Sequence, residues 1–257
     1  MRLRAPIFYF HRVASDGLEA AAPAEVFAGH LALLQDLGAV SVSLEQVALA
    51  LTDPRHKLPP RAVNISFDDC FADVADHALP LLERHGFRAS FFAVAGCLGD
   101  RSHWGQGQAA DLRLMDAAML RELAAAGHEI GSHGFSHRSL PWLGDDELWA
   151  ELIDSRHKLE DILGRAVNVL AYPYGDAVDR VRAAARQAGY LAARGLRRGN
   201  LHSRHSLFDL AVINSMRLRG PVKRAKMAHY LGPWYELGAR KEDLGRWWRD
   251  LLNRPRR

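Results

Sequence analysis

The stretch RAVNISFDD, Arg61–Asp69, sets the reading of the chain. Its apolar core reads as a strand, and the strand stops at two adjacent carboxylates. Neighbouring aspartates repel, so Asp68–Asp69 is a surface turn, an acid pair, or part of a metal site. On both sides, short apolar runs alternate with helical patterns, the mark of βα units. Upstream, PIFYFHRV (6–13) reads as a strand and PAEVFAGHLALLQDLGA (23–39) as a helix, with apolar residues every three or four positions and glycine near its end. Ser43 is a fitting N-cap for the helix in VSVSLEQVALALTD (40–53).

Downstream the alternation continues. Helices are expected over 73–87, 115–129, 145–164 and 177–189, and strands in RASFFAVAG (88–96), NVLAYPYG (168–175), YLAARGL (190–196) and LFDLAVINSMRL (207–218), with a strand end at IGSHGFSH (130–137). The pattern predicts one α/β barrel or doubly wound sheet, whose sites lie at the C-terminal ends of strands. Asp68–Asp69, His133, YPYG and His11 all fall at or just past such ends.

The bulk numbers narrow the class. A chain of 257 residues with 48% apolar and 25% charged residues is an ordinary globular composition. The net charge of +4 comes largely from the end of the chain, so it does not point to nucleic acid. Cys70 and Cys97 do not make a disulfide framework and suit a reducing compartment. No stretch approaches the ~20 apolar residues that span a bilayer, and APIFYF is too short for a signal core, so a cytoplasmic location is expected. The chain divides into a body, 1–220, and a basic extension, 221–257, expected to be helical. Trp234, Trp247 and Trp248 in that extension suit either a helix packed on the body or peripheral contact with an anionic membrane.

GSHGFSH places His133 and His137 four residues apart. Two imidazoles with one carboxylate leave positions open for water, as a catalytic zinc-type site requires. Competing chemistries fail on geometry. His128 and His133 are five apart, about 140° around a helix, so they cannot form a His-Glu-x-x-His face. Adjacent strand residues point to opposite faces, which makes Asp68 and Asp69 poor partners for glycoside hydrolysis. There is no phosphate-binding glycine loop and no G-x-S-x-G elbow.

SFDD, GSHGFSH and AYPYG, in this order and at these separations, resemble the motifs of the polysaccharide deacetylase family (carbohydrate esterase family four, the NodB-homology domain). The resemblance runs from IFYFHRV to about residue 220. It implies a distorted (β/α) barrel as a single domain and a divalent metal, usually zinc. It also implies removal of an N-acetyl group from an amino sugar in a glycan or glycan precursor, and the expected cytoplasmic location points to a lipid-linked or nucleotide-linked precursor. Carried over by position, it makes Asp69, His133 and His137 the metal ligands and Asp68 the general base. The backbone N–H of Tyr174 would stabilise the oxyanion, and Tyr172, Pro173 and Gly175 would line the substrate. YFHRV resembles the start of the branch acting on poly-N-acetylglucosamine-type exopolysaccharides, which assigns the acid role to His11. Ala171 stands where many members have an arginine that holds the base, and Arg217 is the expected replacement. Cys70 stands in place of a glycine, where a positive φ would strain it. Gly134 stands in place of serine or threonine. The same residues also suit an amidohydrolase for small non-sugar amides, or an idle carbohydrate-binding relative.

Overall fold

A computed structural model of the chain describes residues 2–14, 16, 21–104, 111–214, 227 and 229–231. Its centre is formed by seven parallel strands: β1 (Ile7–Phe10), β2 (Ala62–Phe67), β3 (Ser90–Ala93), β4 (Glu129–Ser132), β5 (Val169–Ala171), β6 (Ala192–Arg198) and β7 (Leu210–Asn214). They pair in the order β1-β7-β6-β5-β4-β3-β2, and β2 returns to β1 from Ile7↔Asn64 to Phe10↔Phe67. That last pairing closes the sheet. The fold is a (β/α) barrel, and the doubly wound alternative is excluded.

Helices accompany the strands, among them α1 (Ala24–Asp36), α2 (Leu44–Thr52), α3 (Asp73–His77), α4 (Leu79–Arg84), α5 (Ala117–Ala125), α6 (Asp145–Leu163) and α7 (Asp179–Gln187). Ser43 caps α2 as expected. Its hydroxyl accepts from Gln46 N at 3.0 Å, and the Gln46 side chain accepts from Ser43 N at 2.8 Å. The single helix expected over 73–87 is two, α3 and α4, with Pro80 in the first turn of α4. Proline has no N–H to continue a helical ladder from α3.

β2 is buried along its whole length, and its two faces have different partners. Val63, Ile65 and Phe67 pack beneath the helices with Phe27 and Leu31. There Phe67 stacks on Phe10 at 5.5 Å and on Phe91 at 5.2 Å. Each such ring contributes about 2–3 kcal/mol by leaving water. The other face carries Asn64, whose amide donates to Val42 O at 2.9 Å and Ser90 Oγ at 2.7 Å. At the lower end of the barrel, the Glu129 carboxylate accepts from Leu44 N at 2.7 Å and Glu45 N at 2.9 Å. An anion at the start of α2 suits the helix dipole, and the opposite rim is left for chemistry. Among the described residues no helix is long and apolar enough to cross a membrane.

Candidate metal centre

At the upper end of β2 the Asp68 N–H donates to Phe10 O at 2.9 Å, and the chain then turns left-handed at Asp69 (φ 67°) and Cys70 (φ 55°). Strand alternation alone would send the two carboxylates to opposite faces. The left-handed step at Asp69 breaks the alternation, and both side chains are buried beside the histidines. Asp69 Oδ1 lies 3.4 Å from His133 Nε2 and 3.1 Å from His137 Nε2. One ligand atom from each residue falls within 4.8 Å of the others.

The electrostatics suit a cation. Asp69 Oδ1 is buried without a well-aligned hydrogen-bond donor, although two imidazole nitrogens face it. Burial raises the Asp69 pKa, but the nearness of the His137 imidazole, and then of His133 and His11, outweighs it and holds the carboxyl down to about 2. Burial pushes the His133 imidazole down to about 4, against the pull of Asp68 and Asp69, so it is neutral, as a metal ligand must be. His133 Nδ1 lies 2.8 Å from the Ala171 carbonyl. Donation there keeps the proton on Nδ1 and leaves the Nε2 lone pair free. Two imidazole nitrogens and a carboxylate oxygen fit a divalent ion of zinc type with open positions.

The loop carrying His137 is held from two sides. Glu151, a buried carboxylate of α6, accepts from Phe135 N at 2.8 Å, from Ser136 N at 3.0 Å and from the Ser136 hydroxyl. On the other side, Ala95 N donates to Gly134 O at 3.1 Å and Gly96 N to Phe135 O at 2.7 Å. Gly134 has φ +77°, and a Cβ there would lie 3.2 Å from Glu151 Oε2. The glycine that replaces serine or threonine thus makes room for the carboxylate. The His137 ring stacks on Trp104 at 4.1 Å and 14° and meets the edge of Tyr174 at 4.8 Å.

Asp68 forms an ion pair with Arg194 of β6, which is only 1% exposed. The guanidinium lies over the rings of Phe92, at 4.7 Å, and Tyr9, at 5.7 Å. Arg217, the residue expected to hold Asp68, lies outside the described residues, and Arg194 makes the contact. A signal was present in the sequence, because an arginine inside the apolar run YLAARGL has to find a buried partner.

His11 follows β1, half-buried with its ring 5.9 Å from Tyr9, and it is among the groups that lower the Asp69 pKa. Tyr174 sits at φ 59° in the Pro173–Gly175 turn, with its side chain largely exposed. Burial of part of the ring, then Asp69 and Asp176, raises its phenol pKa. Pro173 is buried beneath the turn, and Gly175 (φ +77°) lies against Leu196, where a Cβ would clash. Tyr172, expected at the substrate, is core instead: 2% exposed, its hydroxyl donates to Phe208 O at 3.1 Å. Cys70 does occupy the left-handed conformation that glycine prefers. Its side chain is buried in the core, and burial, with Asp69 and Asp68, raises the thiol pKa well above the ordinary value, so it stays protonated. Of the five non-glycine residues with positive φ among the described residues, four (Asp69, Cys70, His137 and Tyr174) surround this site. Such strain collects where a surrounding structure needs a particular side-chain direction.

Residues 55–193, more than half of the chain, match the family model described as polysaccharide deacetylase. The chain belongs to the polysaccharide deacetylase family. Within that family it is 26% identical over 185 residues to YxkH of Bacillus subtilis (strain 168), covering 72% of this chain and 62% of the relative. It therefore spans less than two thirds of that protein's length. Among solved structures, the Streptococcus pyogenes deacetylase PplD in complex with acetate superposes with a TM-score of 0.75 at 23% identity, covering 91% of this chain and 100% of that one. IcaB from Ammonifex degensii gives 0.74 at 22% identity, with 89% and 97% covered. At these identities the superpositions speak for the shared barrel.

Proposed function

We propose that this polysaccharide deacetylase family member hydrolyses the N-acetyl amide of an amino sugar within a saccharide, with a zinc ion held by Asp69, His133 and His137. The observation that carries the reading is the pairing of two unlike carboxylates. Asp69 is turned toward two buried imidazoles, while its neighbour Asp68 is held by Arg194 and is not needed as a ligand. When bound, such an ion supplies Lewis acidity toward the amide carbonyl and lowers the pKa of a water. Asp68 accepts the proton of the attacking water, and Arg194 fixes the carboxylate in the direction required. The Tyr174 N–H, in its left-handed turn, is assigned to the developing oxyanion. His11 gives a proton to the leaving amine nitrogen.

The test is acetate release from N-acetylglucosamine oligomers by the purified chain loaded with zinc. Release should disappear on chelation and in Asp68→Asn. It should fall in His11→Gln while zinc stays bound. A protein that binds zinc at these residues yet releases no acetate from any N-acetylated saccharide would overturn the proposal.

A further inference from the structure

A second concave surface on the barrel shares no residue with the metal centre. A cavity of about 650 Å³ opens between α7 and the segment from Arg197 to Asp209, with Arg2 at its edge. A neighbouring cavity of about 550 Å³ shares Arg186, His205 and Phe208 with it and adds Arg204. The two form one groove lined by five arginines and His205.

The arginines fall into two sets. Arg197 Nε donates to Asp209 Oδ2 at 3.0 Å and its Nη2 to Asp209 O at 2.7 Å, while Arg182 pairs with Asp179 and lies 3.9 Å from Asp209. The two aspartates offset these two charges and pin the two guanidinium forks in the wall. Arg2, Arg186 and Arg204 have no carboxylate within ion-pair distance among the described residues. Arg186 is nonetheless held in place, its guanidinium 4.7 Å from the ring of Phe208, which is itself buried. A solvated basic face would leave its long side chains loose over convex surface. Here three guanidiniums without a carboxylate line one groove, Arg2 in the first cavity, Arg204 in the second and Arg186 in both, and their mutual repulsion favours an anion among them. The planar fork matches the oxygens of a phosphate in pairs, which the point charge of lysine does not.

We propose that this groove binds a phosphate-type oxyanion, offered by a phosphate-bearing saccharide or by the headgroups of an anionic lipid surface. The proposal goes beyond the deacetylase reading and does not need the metal.

The metal-free chain, dialysed clear of chelator, is titrated calorimetrically with inorganic pyrophosphate. Binding is expected to weaken with added salt. It should fall about tenfold or more in Arg186→Gln, the loss of one charge-assisted bidentate contact, and further in Arg2→Gln/Arg186→Gln. Both variants alter exposed side chains and should keep the wild-type melting temperature. The titration uses metal-free protein and reads no acetate release, so failure of the deacetylase reading leaves this result intact. Sedimentation with phosphatidylglycerol vesicles, against phosphatidylcholine vesicles, separates the two sources. Vesicle binding lost in the same variants assigns the groove to lipid headgroups, and no vesicle binding assigns it to soluble phosphates. Pyrophosphate that fails to bind the wild type at about 10 mM, or binds the variants equally well, overturns the proposal.

Discussion

Replacing Arg194 by methionine tests the centre of the site without reference to its substrate. Arg194 is 1% exposed and Asp68 4%, so the pair sits in the barrel with almost no access to water. Removing one member of a buried ion pair leaves the other charge uncompensated, which costs about 3–5 kcal/mol. For a chain of this size that is a fall in melting temperature of roughly 6–20 °C. Loss of stacking on Phe92 and Tyr9 adds at most about 1–2 kcal/mol, and the methionine sulfur on the same rings recovers part of it. Asp68→Asn should be comparably damaging, because it strands the arginine. The double variant Arg194→Met/Asp68→Asn contains neither charge and should be more stable than the sum of the single changes predicts, by about 3 kcal/mol. Urea denaturation of the metal-free proteins, followed by circular dichroism, measures all four corners of the cycle. Additivity to within about 0.5 kcal/mol would refute a desolvated, energetically coupled pair.

Two further outcomes are expected. Glu151→Ala removes the acceptor of two backbone N–H groups in the loop before His137. Zinc affinity, read by competition with a chromophoric chelator, should fall about 10–100-fold, and Glu151→Gln, which keeps a carbonyl acceptor, should restore most of it; an unchanged affinity in the alanine variant would remove Glu151 from the site. His202 is buried and bonded through Nε2 to Ala5 O at 2.9 Å, and burial pushes its pKa down from 6.5 to about 4. Below pH ~6.5 the unfolded chain binds a proton that the folded chain refuses, so stability from this residue is present above that pH and is lost as pH falls toward 4, by about 3 kcal/mol in total. His202→Gln should therefore flatten the dependence of melting temperature on pH across that window, and an unaltered slope would contradict it.

How much of this was legible in the sequence depended on range. The βα alternation, the Ser43 cap and the His133/His137 spacing are local patterns, and each appears in the structure where it was read. Closure of the barrel rests on the pairing of Ile7–Phe10 with Asn64–Phe67, between segments more than fifty residues apart, which no local periodicity encodes. The expected helix over 73–87 failed on a local detail, the weight given to Pro80 against the apolar repeat. Glu151 was hidden among the acidic residues of α6, most of which face water. Tyr172 lies within the YPYG motif, yet it directly follows β5, ahead of the Pro173–Gly175 turn, and its ring packs into the core.

The position of Arg194 has a wider consequence. In an open sheet each strand owns its own stretch of surface, but the inside of a closed barrel is a common volume that side chains from several strands can reach. The arginine that the family resemblance places at position 171 is alanine here, and Arg194, directly beside it in the register of β5 and β6, delivers its guanidinium to the same aspartate. Aligned by columns, this chain looks defective at that position. In three dimensions the charge is present, supplied by the next stave of the barrel. For chains of this architecture, a missing motif letter is evidence of lost activity only after the neighbouring strands have been searched for a side chain whose tip ends at the same point.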